Sequence, residues 1–212
     1  MKTYLFDFDG TLVDSMPTFA AVMLNVLDSR GIPHPDDLIK IVTPLGDRKS
    51  AEYYVELGLN MTVPEILEEI RNNFVEAYTY KIPAKANVIE TLKKLKAQGH
   101  DLNVLTASPH TSLDPCLKRL GIYDLFSNVW ACDADFGTTK TNPDIYKQAA
   151  QRMGVKVEDV IFIDDNLYAD IAAKEAGAVV YGIYDDSSAE FVQEIKDVTD
   201  RYIYDFAELL QD

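Results

Sequence analysis

Lys2-Thr3-Tyr4-Leu5-Phe6-Asp7-Phe8-Asp9-Gly10-Thr11-Leu12-Val13-Asp14-Ser15 is the stretch from which the rest of the chain can be read. Lys2 to Phe8 is apolar and aromatic with an acid near its end, the pattern of a short buried strand. Gly10 breaks it. Asp14 or Ser15 is placed to cap a helix, with Pro17 in its first turn. Met16, Phe19, Ala20, Met23, Val26 and Leu27 then recur at helical spacing, and Gly31 ends the run.

Beyond that helix, residues 32 to 82 hold no strand pattern. Ser50 to Leu57 reads as a helix stopped by Gly58. Val63, Ile66, Leu67, Ile70, Phe74 and Tyr78 trace one face of a longer helix. Stretches 32–36 and 43–48 read as loops. After Pro83 the grammar changes to helix, glycine, strand, several times over. Gly99 precedes Asp101 to Thr106, Gly121 precedes Val129 to Cys132, Gly154 precedes Val160 to Ile163, and Gly177 precedes Ala178 to Ile183. Apolar runs alternating with amphipathic helices predict an α/β, Rossmann-like parallel sheet with helices on both faces. The expected layout is a core from 1–14 and 83–212, interrupted by an all-helical insertion at 15–82.

Composition bounds the function. The chain has 212 residues, 47% hydrophobic and 26% charged, the balance of a globular protein rather than a disordered one. Its net charge of −15 repels phosphate backbones, so nucleic acid is not an expected partner. No apolar run is long enough for a membrane span, and the acidic N-terminus does not resemble a signal peptide. Two cysteines, Cys116 and Cys132, make no disulfide framework, which fits a cytoplasmic setting.

Ligands of open parallel sheets bind beyond the carboxyl ends of the strands. Those ends carry Asp7-Phe8-Asp9-Gly10-Thr11, Thr106-Ala107-Ser108 and Asp164-Asp165-Asn166, and Lys140 lies in the loop after the third strand. Carboxylates about 4 Å apart repel by about 4 kcal/mol per pair at an effective dielectric of 20. A positive centre among them, or protonation, is needed. Oxygen-only ligands suit Mg²⁺, and no His/Cys cluster suggests zinc. Asp7 and Asp9, two apart on a regular strand, would point the same way, one to attack phosphorus and the other to handle a proton. Thr106 could donate a hydroxyl bond and Lys140 could neutralise developing charge.

Asp7-Phe8-Asp9-Gly10-Thr11-Leu12-Val13-Asp14-Ser15 resembles the first signature of the haloacid dehalogenase superfamily. Val104-Leu105-Thr106-Ala107-Ser108 resembles the second, and Lys140-Thr141-Asn142-Pro143-Asp144-Ile145-Tyr146 the third. Ile161-Phe162-Ile163-Asp164-Asp165-Asn166, with Ala172 to Gly177 behind it, resembles the fourth. The insertion resembles the C1 helical cap of phosphoglycolate-phosphatase-like members.

The resemblance implies a Mg²⁺-dependent phosphatase acting on a small phosphorylated metabolite through an aspartyl-phosphate. Asp7 would be nucleophile and metal ligand. Asp9 would be general acid/base, with its main-chain carbonyl on the metal. Thr106, Ala107 and Lys140 would hold the phosphoryl group, and Asp165, supported by Asp164, the metal. Dehalogenases of the superfamily lack the second aspartate of the first signature, so Asp9 favours phosphate transfer. Two positions depart from the pattern. Ala169 stands where many members carry a further carboxylate or asparagine, with Asp170 one later, and Thr141 replaces the usual proline. Asp170 reads either as a solvated residue of a first helical turn or as a carboxylate that reaches the metal site, work that Asp164 could do instead. In the insertion, Arg48 and Lys49 lie in a stretch that is either a solvated loop or a contact to the substrate's leaving group. His34, His100 and His110 read as loop or surface residues, with His110 bordering the pocket. A phosphomutase of the β-phosphoglucomutase type and a non-catalytic phosphate-binding module remain as alternatives.

Overall fold

A computed structural model describes residues 1–211; the final residue of the expected core, Asp212, lies outside the described residues. The chain divides into two compact units, Met1–Asp14 with Ile82–Asp212, and Ser15–Lys81.

The first unit is built on a six-stranded sheet. Its strands are β1 (Thr3–Phe6), β2 (Asp101–Thr106), β3 (Asn128–Ala131), β4 (Val160–Asp164), β5 (Val179–Ile183) and β6 (Arg201–Ile203), in the order β3-β2-β1-β4-β5-β6. Every pairing is parallel. Phe6 is in register with Val104 on one side and Ile163 on the other. The order reverses direction between β1 and β4, so a crevice opens beyond their carboxyl ends, where open α/β sheets bind ligands. The acids that close both strands are therefore neighbours across that crevice, although more than 150 residues of chain separate them.

Alternation along the strands sorts the core into two faces. Leu5, Leu105, Phe162 and Val180 share one cluster with Ile145, Tyr146, Ala149, Ala172 and Ala173. On the other face the rings of Tyr4 and Phe6 stack 5.6 Å apart, and Phe6 meets Phe126 and Phe206.

The second unit contains α1 (Met16–Asp28), α2 (Leu38–Val42), α3 (Asp47–Glu56) and α4 (Val63–Tyr80). Its core gathers Met23, Val26 and Leu27 with Leu38, Ala51, Tyr54 and Ile66. The buried Tyr54 hydroxyl donates to the Met23 carbonyl at 3.0 Å, so its burial leaves no orphan. Glu65 accepts from both the Thr62 amide and hydroxyl, which fixes the start of α4. α1 begins after Ser15 with no side-chain cap, contrary to expectation, and the buried Ser15 hydroxyl has no partner. Stretch 43–48 is not a loop: Thr43–Leu45 is a 3₁₀ turn, Gly46 takes φ +73°, and α3 starts at Asp47.

The remaining helices belong to the first unit: α5 (Val88–Ala97), α6 (His110–Arg119), α7 (Asp144–Met153), α8 (Leu167–Ala176) and α9 (Val192–Val198). α7 and α8 supply the small alanines that let them lie close on the sheet. The glycines that follow α5, α6, α7 and α8 all take positive φ, as their place after each helix requires.

Candidate active site

β1 stops at Phe6, but the Asp7 amide still donates to the Ile163 carbonyl at 2.9 Å. That bond holds Asp7 in the crevice between β1 and β4. The chain then folds back: Leu12 and Val13 amides both donate to the Phe8 carbonyl, and Gly10, at φ +78°, donates to Val13. Phe8, Leu12 and Val13 are fully buried and anchor this turn. Val13 pairs antiparallel with Ala84, and the Asp14 amide donates to Pro83 at 3.0 Å. A side chain at Gly10 has no room, because its Cβ would lie 2.6 Å from the Asp165 carboxylate.

β1 ends before both Asp7 and Asp9, and each carboxylate meets a side-chain partner. Asp7 is 3% exposed, and its Oδ1 lies 2.6 Å from Lys140 Nζ. Asp9 is half-buried and its Oδ2 accepts from the Ser108 hydroxyl at 2.5 Å.

β4 ends in Asp164, which is fully buried. Its Oδ2 is 2.6 Å from the same Lys140 ammonium, and its Oδ1 accepts from the Asn166 amide. Asp165 accepts from Thr11 Oγ1 at 3.2 Å. Asn166 caps α8 by accepting from the Tyr168 and Ala169 amides. Oxygens of Asp7, Asp164 and Asp165 all lie within 4.8 Å of one another. Burial pushes the Asp7 carboxyl well above the usual range, the Asp164 charge adds to this, and Lys140 opposes it. Burial and Asp164 likewise push Asp165 up to about 7. Lys140 is held firmly protonated, because the attraction of Asp164 and Asp7 outweighs its desolvation. Such a group of hard, buried oxygens, short of positive charge, fits a divalent cation.

Thr106 closes β2, buried, and its hydroxyl oxygen accepts from the Ser108 amide at 3.0 Å. Ala107 follows it, exposed. Lys140 reaches Asp7 from the loop before α7, where the Tyr146 hydroxyl donates to the Lys140 carbonyl at 2.8 Å. Thus Asp7, Lys140, Asp164 and Asp165 come together, and the Ser108 hydroxyl holds the Asp9 carboxylate.

Asp170 overturns its expected place in solvent. It is 0% exposed, neither carboxylate oxygen has a partner, and burial together with Asp164 raises its pKa well above the ordinary value. His110 is tied rather than loose, with Nδ1 2.8 Å from Asp114 and Nε2 2.9 Å from Asp135. Arg48 and Lys49 sit in the first turn of α3; Arg48 pairs with Glu52 at 3.1 Å and is exposed. Ser108 and Thr11 lie within recognisable motifs, but the sequence alone gives them no role; here they donate to Asp9 and Asp165. Lys85, whose ammonium bonds the Gly10 carbonyl at 2.6 Å, carries no local sequence signal at all.

The family model for haloacid dehalogenase-like hydrolases matches residues 1–177. The chain belongs to this family and is a hydrolase of that class. It is 29% identical over 191 residues to the N-acetylmuramic acid 6-phosphate phosphatase of Pseudomonas aeruginosa, covering 86% of this chain and 83% of that one. It is 29% identical over 188 residues to the phosphoglycolate phosphatase of Psychrobacter arcticus, covering 84% and 81%. The crystal structure of a HAD family hydrolase from Deinococcus radiodurans, with bound phosphate and sodium, superposes with a TM-score of 0.77 at 27% identity, covering 99% of this chain and 93% of that one.

Proposed function

We propose that the protein is a Mg²⁺-dependent phosphoric monoester hydrolase that cleaves a small phosphorylated metabolite through a phosphoryl-aspartate on Asp7. The single observation that carries this reading is the buried meeting of Asp7, Asp164 and Asp165, the first two of them paired with one lysine ammonium. Relatives named as phosphatases support the reaction class.

Asp7, Asp164 and Asp165, with the main-chain carbonyl of Asp9, would hold the ion. When bound, it would draw charge from the phosphoryl oxygens and keep these carboxyls ionised. Asp7 attacks phosphorus through a carboxylate oxygen. The new O–P bond forms as the ester O–P bond breaks, and Asp9 gives its proton to the departing oxygen. Asp9, now a carboxylate, takes a proton from water, whose oxygen attacks the phosphoryl-aspartate. Phosphate leaves and Asp7 is restored. Lys140 neutralises the charge that grows on the phosphoryl oxygens, and Thr106 and the Ala107 backbone bind the same group.

The Ser15–Lys81 unit is read as the cap, with Arg48 and Lys49 as contacts to the leaving group. Both cysteines are buried free thiols, which suits a reducing, cytoplasmic setting, and among the described residues no helix is long and apolar enough to cross a membrane.

The test is a screen of phosphorylated metabolites for released phosphate, with Mg²⁺ and with EDTA. Phosphate release that EDTA stops, and that Asp7→Asn abolishes while the fold stays intact, is the expected result. Release by Asp7→Asn would remove the nucleophile from Asp7. Isomerised sugar phosphate without free phosphate would make the enzyme a mutase.

A further inference from the structure

Lys85 lies between Ile82 and Asn87, where the chain re-enters the first unit. Its amide donates to the Leu12 carbonyl at 3.1 Å, beside the pairing of Val13 with Ala84. Its ammonium meets three acceptors: the Gly10 carbonyl at 2.6 Å, the Tyr184 carbonyl at 2.8 Å and Asp185 Oδ2 at 2.8 Å. Three acceptors match the three protons of an ammonium. The side chain is 19% exposed and its Asp185 partner 7%, so this is not a solvated surface lysine. Asp185 is itself fixed, accepting from the Ser187 amide and hydroxyl at 2.9 and 2.6 Å.

The peptide that Lys85 grips joins Gly10 to Thr11. On one side of it stands Asp9. On the other, Thr11 donates to Asp165, and Gly10 itself is pressed against that carboxylate. A movement of this peptide therefore shifts Asp9 and Asp165 together. Ser108 ties only the Asp9 side chain; Lys85 ties the backbone that carries it, to the far end of β5.

We propose that Lys85 is a positioning residue, a bolt between the Asp7–Asp14 turn and the end of β5 that sets the reach of Asp9 to the leaving oxygen. Lys85 touches neither substrate nor reacting atoms, and the proposal rests on the general-acid role given to Asp9 above.

The test compares Lys85→Met, which keeps the stem and removes the donors, with Lys85→Arg, which restores donors and charge. Turnover is measured on p-nitrophenyl phosphate, whose leaving group departs without a proton, and on glycerol phosphate, whose leaving group needs one. For Lys85→Met we expect kcat on glycerol phosphate to fall about 100-fold, with KM little changed, against a few-fold loss on p-nitrophenyl phosphate. Lys85→Arg should regain most of the difference. Equal losses on the two esters, or a change in KM alone, would overturn the proposal. If Lys85→Met does not fold, Asp185→Asn loosens the same bolt and should show the same bias in weaker form; an unbiased loss would count against it. Hydrogen exchange of the 7–14 segment reads the bolt without turnover: roughly tenfold faster exchange there in the variant, with β2 and β3 unchanged, is expected. Unchanged exchange overturns the proposal. Should the wild type cleave neither ester, the exchange result alone decides the role of Lys85, and the metabolite screen separately decides the phosphatase reading.

Discussion

Lys140 Nζ stands 2.6 Å from Asp7 Oδ1 and 2.6 Å from Asp164 Oδ2, so one ammonium joins the residue after β1 to the last residue of β4. It is the nearest positive charge to a buried group of three carboxyls. Removing one partner of a buried ion pair costs about 3–5 kcal/mol. Lys140→Met should therefore lower Tm in EDTA and abolish measurable turnover. Lys140→Arg should recover stability more than rate, because a planar fork cannot reproduce a point charge between two oxygens. Thermal melts and kcat on the same preparations check this.

Acid and metal should oppose each other at the site. Asp7 and Asp165 titrate above their ordinary range, Asp165 near 7. A carboxyl whose folded pKa is raised binds protons more readily when folded, so its contribution is full below the unfolded value and is lost as pH rises through the folded one. From about pH 4 upward the metal-free protein should lose stability at these groups, at Asp165 until about pH 7. Mg²⁺ must displace those protons, so its affinity should weaken as pH drops below 7. The expected observation is a Tm difference between Mg²⁺ and EDTA that widens by about 5 °C or more from pH 5.5 to 8. A constant difference would contradict it.

Two glycines should fail in different ways. Gly10→Ala would drive a methyl group into the Asp165 carboxylate and put alanine at φ +78°, so kcat should drop by about 100-fold or more. Gly182→Ala would meet Ile195 Cγ2 at 2.5 Å and the Tyr202 ring at 2.8 Å, within the packing of β5, α9 and β6. Overpacking there should cost about 1–3 kcal/mol of stability, with kcat held within a few-fold. Denaturant melts and steady-state rates separate the two.

Asp170 offers a gain rather than a loss. Its oxygens are buried without partners and its carboxyl resists ionisation. By the same linkage, it erodes stability as pH climbs above the ordinary carboxyl value. Asp170→Asn should raise Tm by about 3–6 °C at pH 8 in EDTA and change it little at pH 4. Equal shifts at both pH values would mean that charge is not the cause.

The sequence displays those parts of the molecule that local pattern governs. β1, β4 and β5 stand out because buried strands read as largely apolar runs, β2 stands out by its Val104-Leu105 centre after a helix and glycine, and the glycine after each of these helices marks its end. α2 is only five residues long and sits between prolines, so it shows no helical period. β6 has three residues, two of them half-buried, and is defined by pairing with β5 rather than by its own composition. Asp7, Asp164, Asp165 and Lys140 are legible because the acids close strands and the lysine lies in a recognisable motif. Strand alternation does not govern Asp9, because β1 stops three residues before it. Lys85 and Asp185 are invisible from the chain alone, since their meaning arises from a hydrogen-bonded junction across 100 residues. Asp170 misleads because an acid in a first helical turn ordinarily faces water.

The hydrogen bond from the Asp14 amide to the Pro83 carbonyl, 3.0 Å long, brings the two cut ends of the sheet-bearing unit within a peptide's reach of each other. A splice of a few turn-forming residues in place of 15–81 would bridge that gap without stretching the scaffold. The same doorway admits grafts: helical inserts exchanged between relatives at this seam would enter and leave the scaffold at one point, with Asp7, Lys140, Asp164 and Asp165 left as they are.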